Sequence, residues 1–205
     1  ARLGCASDIG ANITSGGTGK MMASTKLRPV RNAGARGCRD QAIALATQAG
    51  MRQDQAYWRR VKGDGLVQTG QYDLGLQDYR VALSIYEKVG AQAVLLETLH
   101  DYGQLHLLLG DSASAERDFK RALGMAQSIG LDRGVTLNLI SLGDVEFRRE
   151  RPDAAVALYE QARQRAAAAE AQHALALSLL RLARVNRSLQ RLAMASSETD
   201  QSLVI

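Results

Sequence analysis

Ser15-Gly16-Gly17-Thr18-Gly19-Lys20 has the make-up of a phosphate loop, in which backbone N–H groups cradle phosphates and a lysine reaches the terminal ones. The pattern fails at both ends: Thr14 stands where the first glycine belongs, and Met21 takes the place of the magnesium-binding hydroxyl. No apolar strand precedes it, so a Gly-rich linker is the better account. Of the histidines, His100 and His106 are six residues apart, which turns them about 240° from one another on a helix. With His173 distant, no metal site is expected. No Ser, Thr or Cys sits in a nucleophile setting, and Asp144 and Glu146 read as solvated acids, so neither catalysis nor a cofactor is expected. The sequons Asn12-Ile13-Thr14 and Asn186-Arg187-Ser188 read as accidental. One set of residues does suggest recognition: Arg181, Arg184, Arg187 and Arg191 follow at spacings of three, three and four, which is a single stripe on a helix. Such a stripe suits bidentate capture of carboxylates or phosphates on an acidic segment. Its bland counterpart is a solvated face, or one paired with a neighbouring domain.

The chain that must position these residues has 205 residues, 46% of them hydrophobic and only 4% aromatic. That suits one ordinary domain or a short repeat array. Cys5 and Cys38 are too few for a disulfide framework or an unaided zinc site; they favour a reducing compartment, hence a cytoplasmic location. No apolar run approaches the ~18 to 20 residues that span a bilayer. The opening Ala-Arg-Leu-Gly-Cys has neither an initiator Met nor a long apolar stretch and reads as an internal boundary of a longer chain. The net charge of +5 is carried by residues 1–40, where Arg2, Lys20, Lys26, Arg28, Arg31, Arg36 and Arg39 face only Asp8 and Asp40. The rest is neutral, so the high pI describes an N-terminal arm rather than a nucleic-acid-binding body.

An internal repeat emerges at an offset of 40 residues. Gly63, Gly103 and Gly143 fall in register, with Ala183 fourth. Gly70, Gly110, Glu150 and Gln190 follow seven later, then the small residues Gly75, Ala115, Ala155 and Ala195. The aromatics Tyr79, Phe119 and Tyr159 come next, then Ala82, Ala122 and Ala162; Gly50, Gly90 and Gly130 mark the ends of copies. Each copy reads as two helices. Leu95, Leu96, Leu99, Tyr102 and Leu105 recur at helical spacing, Gly110 supplies a left-handed stop, and Asp111 or Ser112 caps the next helix. Pro152 sits at the start of a second helix, where its missing N–H costs nothing. The expected pairs are 55–69 with 72–89, 92–109 with 112–129, 132–149 with 153–169, and 171–189 with a shorter 192–203. A small residue where helices cross lets their axes approach, and the aromatic fills the remaining gap, so that stripe reads as core.

This pattern resembles the tetratricopeptide repeat family. The resemblance rests on Leu139-Ile140-Ser141-Leu142-Gly143 with Ala155, Tyr159 and Ala162, and on Leu99, Tyr102, Gly103, Gly110, Ala115, Phe119 and Ala122. It covers residues 35–205. The period of 40 rather than 34, and the absence of a closing proline, are similar to the longer-period subclass found in the Leu-Gly-Asn repeat protein, rapsyn and sensor segments of bacterial regulators. The resemblance implies an all-α, right-handed solenoid of antiparallel helix pairs, whose first helices line a concave groove for peptides or proteins.

The domain reading that follows is an irregular basic Gly-rich arm at 1–34, with a short helix near Lys20 to Lys26, and a repeat domain at 35–205. The latter comprises a partial repeat at 35–50 and copies at 51–90, 91–130, 131–170 and 171–205. Projecting the family's groove positions places Tyr57, Arg60, Asp64 and Gln68, then Glu97, His100, Asp101 and Gln104, on the groove. Ser141, Asp144 and Arg148 follow in the third copy, and Arg181, Arg184, Arg187 and Arg191 in the fourth. The expected function is a non-enzymatic interaction scaffold for a protein or peptide, acidic in the case of the arginine stripe. The alternative is a regulatory sensor segment with attached domains. Nucleic-acid binding through the arm ranks lower, because the arm lacks aromatics for base stacking, and no membrane partner is expected.

Overall fold

The computed structural model describes residues 32–189, and every regular element among them is a helix. They are α1 (Asn32–Gln48), α2 (Arg52–Gln68), α3 (Tyr72–Val89), α4 (Gln92–Leu108), α5 (Ser112–Ser128), α6 (Asp132–Arg148), α7 (Pro152–Ala168) and α8 (Gln172–Ser188). None is long and apolar enough to cross a membrane. The phosphate-loop-like segment, the arm up to residue 31 and the helix expected at 192–203 lie outside the described residues. The chain divides into two compact units, one running to Ile85 and the other from Tyr86 on, with the break inside α3.

The turns follow from the repeat glycines. Gly50, Gly70, Gly90, Gly110 and Gly130 all have φ between 69° and 84°, the left-handed stop that glycine adopts without strain. Glu150 and Glu170 occupy the same registers with φ of 59° and 52°, so the turns after α6 and α7 are closed by residues whose Cβ opposes that conformation. Asp111 caps α5 by accepting from the Ser114 N–H at 3.0 Å, and Pro152 opens α7. Cys38 on α1 is disulfide-bonded.

Inside each hairpin the repeat glycine faces the repeat aromatic. A Cβ built on Gly103 would lie 2.7 Å from the Phe119 ring, and one on Gly143 would overlap the Tyr159 ring, whereas at Gly63 the Tyr79 ring stands back at 3.5 Å. Phe119 and Tyr159 are fully buried. In the second unit Phe119 packs with Leu107, Ala115, Leu142 and Val145, so residues of three helices share one core. In the first unit Tyr79 closes α3 over α2 in the same way.

Gly103→Ala is therefore expected to lose about 1–3 kcal/mol through overpacking against Phe119. Gly63→Ala, with room for its methyl, stays within about 1 kcal/mol of the parent because helix propensity favours alanine. Urea unfolding of both variants measures the difference. Glu150→Gly should gain about 1 kcal/mol by relieving the left-handed turn, read as a rise in urea midpoint at unchanged slope.

Candidate partner-binding face

In the second unit the first helices of successive copies, α4, α6 and α8, are joined by side chains spaced 37–41 residues apart. Between α4 and α6, His100 Nδ1 lies 3.1 Å from Asn138 Oδ1, Gln104 Nε2 donates to Ser141 Oγ at 2.8 Å, and Arg148 donates to the Leu107 carbonyl at 2.7 Å. Between α6 and α8, Arg181 Nε donates to Asp144 Oδ1 at 2.8 Å, and the Arg184 guanidinium lies 5.0 Å above the centre of the Phe147 ring. The contacts recur at equivalent positions. His100, Gln104 and Leu107 on α4 take their partners from α6, as Asp144 and Phe147 on α6 take theirs from α8.

The network also sets protonation. Asn138 Nδ2 donates to the Gly134 carbonyl at 2.8 Å, which turns its oxygen toward His100 and makes Nδ1–H the donor of that contact. Asp144 accepts a second hydrogen bond from the Tyr159 hydroxyl at 2.8 Å. Burial, and then the adjacent Asp144 carboxylate, push the Tyr159 hydroxyl far above its ordinary pKa, so it stays a donor. Asp64 accepts from Tyr79 in the first unit. In the copy where the aromatic is Phe119 and has no hydroxyl, the equivalent residue is Gln104.

Several groove candidates are thereby engaged within the protein. Ser141 is 2% exposed and faces Gln104 rather than solvent. Asp64 and Asp144 are held by tyrosine hydroxyls, and Arg181 is committed to Asp144, so the four arginines are not equivalent. Glu97, Gln104, Arg148, Arg184 and Arg187 are exposed, His100 and Asp101 half-exposed, and Arg191 lies outside the described residues. In the first unit Tyr57 is exposed with its ring against Trp58 (5.2 Å between centres), Arg60 is half-buried and Gln68 is exposed. His106 faces the other way, buried against Tyr102 and between Asp111 and Asp118. Asn186, in the second sequon, is 1% exposed and unsuited to carry a glycan. Sequence reasoning missed Asn138 and Phe147; the 37-residue recurrence linking Gln104 to Ser141 and Asp144 to Arg181 was the signal available for such pairs.

A family model described as tetratricopeptide repeat matches residues 53–128. Residues 53–128, which run from α2 to α5, therefore carry the tetratricopeptide repeat signature. No curated protein matches it by sequence. Among solved structures it is similar to aspartyl phosphate phosphatase F from Bacillus subtilis, with a TM-score of 0.76, 15% identity and coverage of 83% of this chain and 45% of that one. It is also similar to a putative kinesin light chain from Podospora anserina with nearly identical TPR-like repeats, with a TM-score of 0.68, 14% identity and coverage of 84% and 86%. A third likeness is to a signal transduction ATPase with numerous domains, bearing a tetratricopeptide repeat sensor, from Pyrococcus horikoshii. There the TM-score is 0.68 at 17% identity, with coverage of 82% of this chain and 27% of that one. At these identities the likeness is one of fold. The chain spans less than half the length of the phosphatase and of the ATPase.

Arg181→Glu should cost about 1–2 kcal/mol, because it removes a charge-assisted bond to a partly exposed pair and sets two carboxylates together. Arg184→Glu loses only a surface contact to Phe147 and should cost less than about 1 kcal/mol. Urea denaturation separates the two.

Proposed function

We propose that the chain is a non-enzymatic scaffold that binds a protein or peptide across the first-helix face of α4, α6 and α8. The observation that carries this reading is the ladder of cross-helix contacts. It holds polar side chains in set orientations, Gln104, Arg148 and Arg184 among them, and leaves these three exposed together with Glu97. A surface whose side chains are already ordered gives up less conformational entropy when a partner arrives. Glu97 and Gln104 lie seven residues apart on one side of α4, and Arg148 and Arg184 bring positive charge from α6 and α8, so the face offers both signs to an extended or helical segment.

A second reading is a sensor segment within a longer regulatory protein. It is favoured by the likeness to the Pyrococcus horikoshii ATPase, whose tetratricopeptide repeat sensor is one part of a much longer chain. Both readings use the same face.

The test is selection of binding peptides from a displayed random library on the full chain. Binding of the selected peptides should fall at least about tenfold, equivalent to ~1.4 kcal/mol, in the triple variant Glu97→Arg, Gln104→Ala, Arg148→Ala. It should be unchanged in Arg117→Ala with Arg121→Ala, two exposed residues of α5. Loss in the α5 variant alone would move the site off the first-helix face.

A further inference from the structure

At one position of the repeat the second helix of a hairpin turns a buried carboxylate toward the first. In the first unit this is Asp78 on α3, which Arg59 of α2 meets at 2.7 Å and Lys62 approaches at 3.7 Å. Forty residues on it is Asp118 on α5, 6% exposed, and the places of Arg59 and Lys62 hold Leu99 and Tyr102, which carry no positive charge. The third copy has Leu158 there and needs no partner. What faces Asp118 from α4 is His106, at the place of Leu66. Its Nε2 lies 3.8 Å from Asp118 Oδ2, and both atoms are buried without a hydrogen-bond partner. Its Nδ1 lies 3.6 Å from Asp111 Oδ2 at the turn. One imidazole thus stands between two carboxylates, close to both and within hydrogen-bond distance of neither.

We infer that His106 and Asp118 form a proton-operated latch of the α4–α5 hairpin: in mildly acidic solution the pair takes up one proton, and the hydrogen bond it allows draws α4 onto α5. A neutral imidazole has one N–H and cannot donate to both carboxylates, whereas the imidazolium has two and supplies the charge that Asp118 lacks. With the proton on Asp118, its O–H donates to Nε2. Either placement adds one proton and satisfies both orphaned atoms, so the proton belongs to the pair. Closing the gap to a normal hydrogen bond takes about 1 Å. Burial, the largest influence, raises the Asp118 carboxyl above its ordinary range against the pull of His106, Arg117 and Arg121, in the sense that a shared proton requires. Asp111 is held low by hydrogen bonds from Ser114 and remains a carboxylate. Tyr102 of α4 sets its ring edge-on to His106, 4.5 Å between centres. Of the nearby cations on α5, Arg117 is exposed with Nε 3.9 Å from Asp118 Oδ1, and Arg121 is paired at 2.6 Å with Glu87 near the end of α3. The folded chain thus gains a proton here over the unfolded one, so this contribution to stability grows as pH falls through the ordinary range of histidine and is lost as pH rises. Because α4 also presents His100 and Gln104, the latch acts on one helix of the first-helix face.

Urea unfolding of the full chain and two variants, at about pH 8 and about pH 5.5, tests the latch. On acidification the unfolding constant of the parent should fall at least about threefold relative to that of His106→Gln, whose amide is neutral at both values. Asp118→Asn should lose most of this response. A second measurement, on the folded parent, does not depend on how stable a variant is. By NMR, the His106 imidazole nitrogens and the Asp118 carboxyl carbon should shift together over one pH range, and the His106 profile should change in Asp118→Asn. Equal pH responses of the parent and His106→Gln, or a His106 profile indifferent to Asp118→Asn, overturns the proposal. So does a parent that loses stability relative to His106→Gln on acidification, which is the response of a histidine buried in its neutral form.

Discussion

At one point in the α4–α5 hairpin and one in the α6–α7 hairpin, two helix backbones come close enough that no side chain fits on one of them. At Gly103 and Gly143 the ring sixteen residues later occupies the space of a Cβ, and the helices are held at that separation by the ring's edge. Much of the second unit depends on this approach. It buries Phe119 and Tyr159 completely, and it brings the Tyr159 hydroxyl to Asp144 on the far side of the same contact. Asp144 is then oriented to receive Arg181 from the next first helix. A steric requirement within one hairpin thus sets an electrostatic contact between hairpins.

Contacts between first helices have a different character from those within hairpins. The hairpin contacts are apolar and buried, insensitive to which small or aromatic residue is used as long as volume is kept. The first-helix contacts are hydrogen bonds, an ion pair and a cation over a ring, partly open to solvent, and individually worth little. Their consequence is order: they select rotamers for His100, Gln104, Arg148 and Arg181 on a surface where solvent would otherwise leave them free. The side chains that remain exposed differ from copy to copy, so the face is regular in backbone and varied in chemistry.

The helices were legible because their signals are local. Glycines at 40-residue intervals mark the stops, Asp111 and Pro152 mark starts, and the observed ends of α3 to α8 fall within two residues of the expected ones. The pairing of Asp64 with Tyr79, Gln104 with Phe119 and Asp144 with Tyr159 was present in the repeat alignment as well, since an acid accompanies the aromatic only when it carries a hydroxyl. The exposure of the groove candidates was less legible. Ser141, expected on the surface, is covered by the approach of α4, and Arg181 is drawn out of an apparent four-arginine stripe by Asp144. Periodicity assigns a residue to a side of its helix, but it does not state how far the neighbouring helix covers that side.

What the sequence by itself determined is the unit: two helices, a left-handed turn, a glycine under an aromatic, and the period at which they recur. Those follow from backbone conformation and from steric volume, which act over a few residues or at one fixed crossing. What only the tertiary structure decided is which polar residues are spent on holding first helices together and which stay exposed. Arg181 and Arg184 are the same residue type, three apart on one helix. One is tied to Asp144 and the other remains open above Phe147. The difference lies in the lateral placement of α8 against α6, which is set by packing summed along both helices and is written in no single residue.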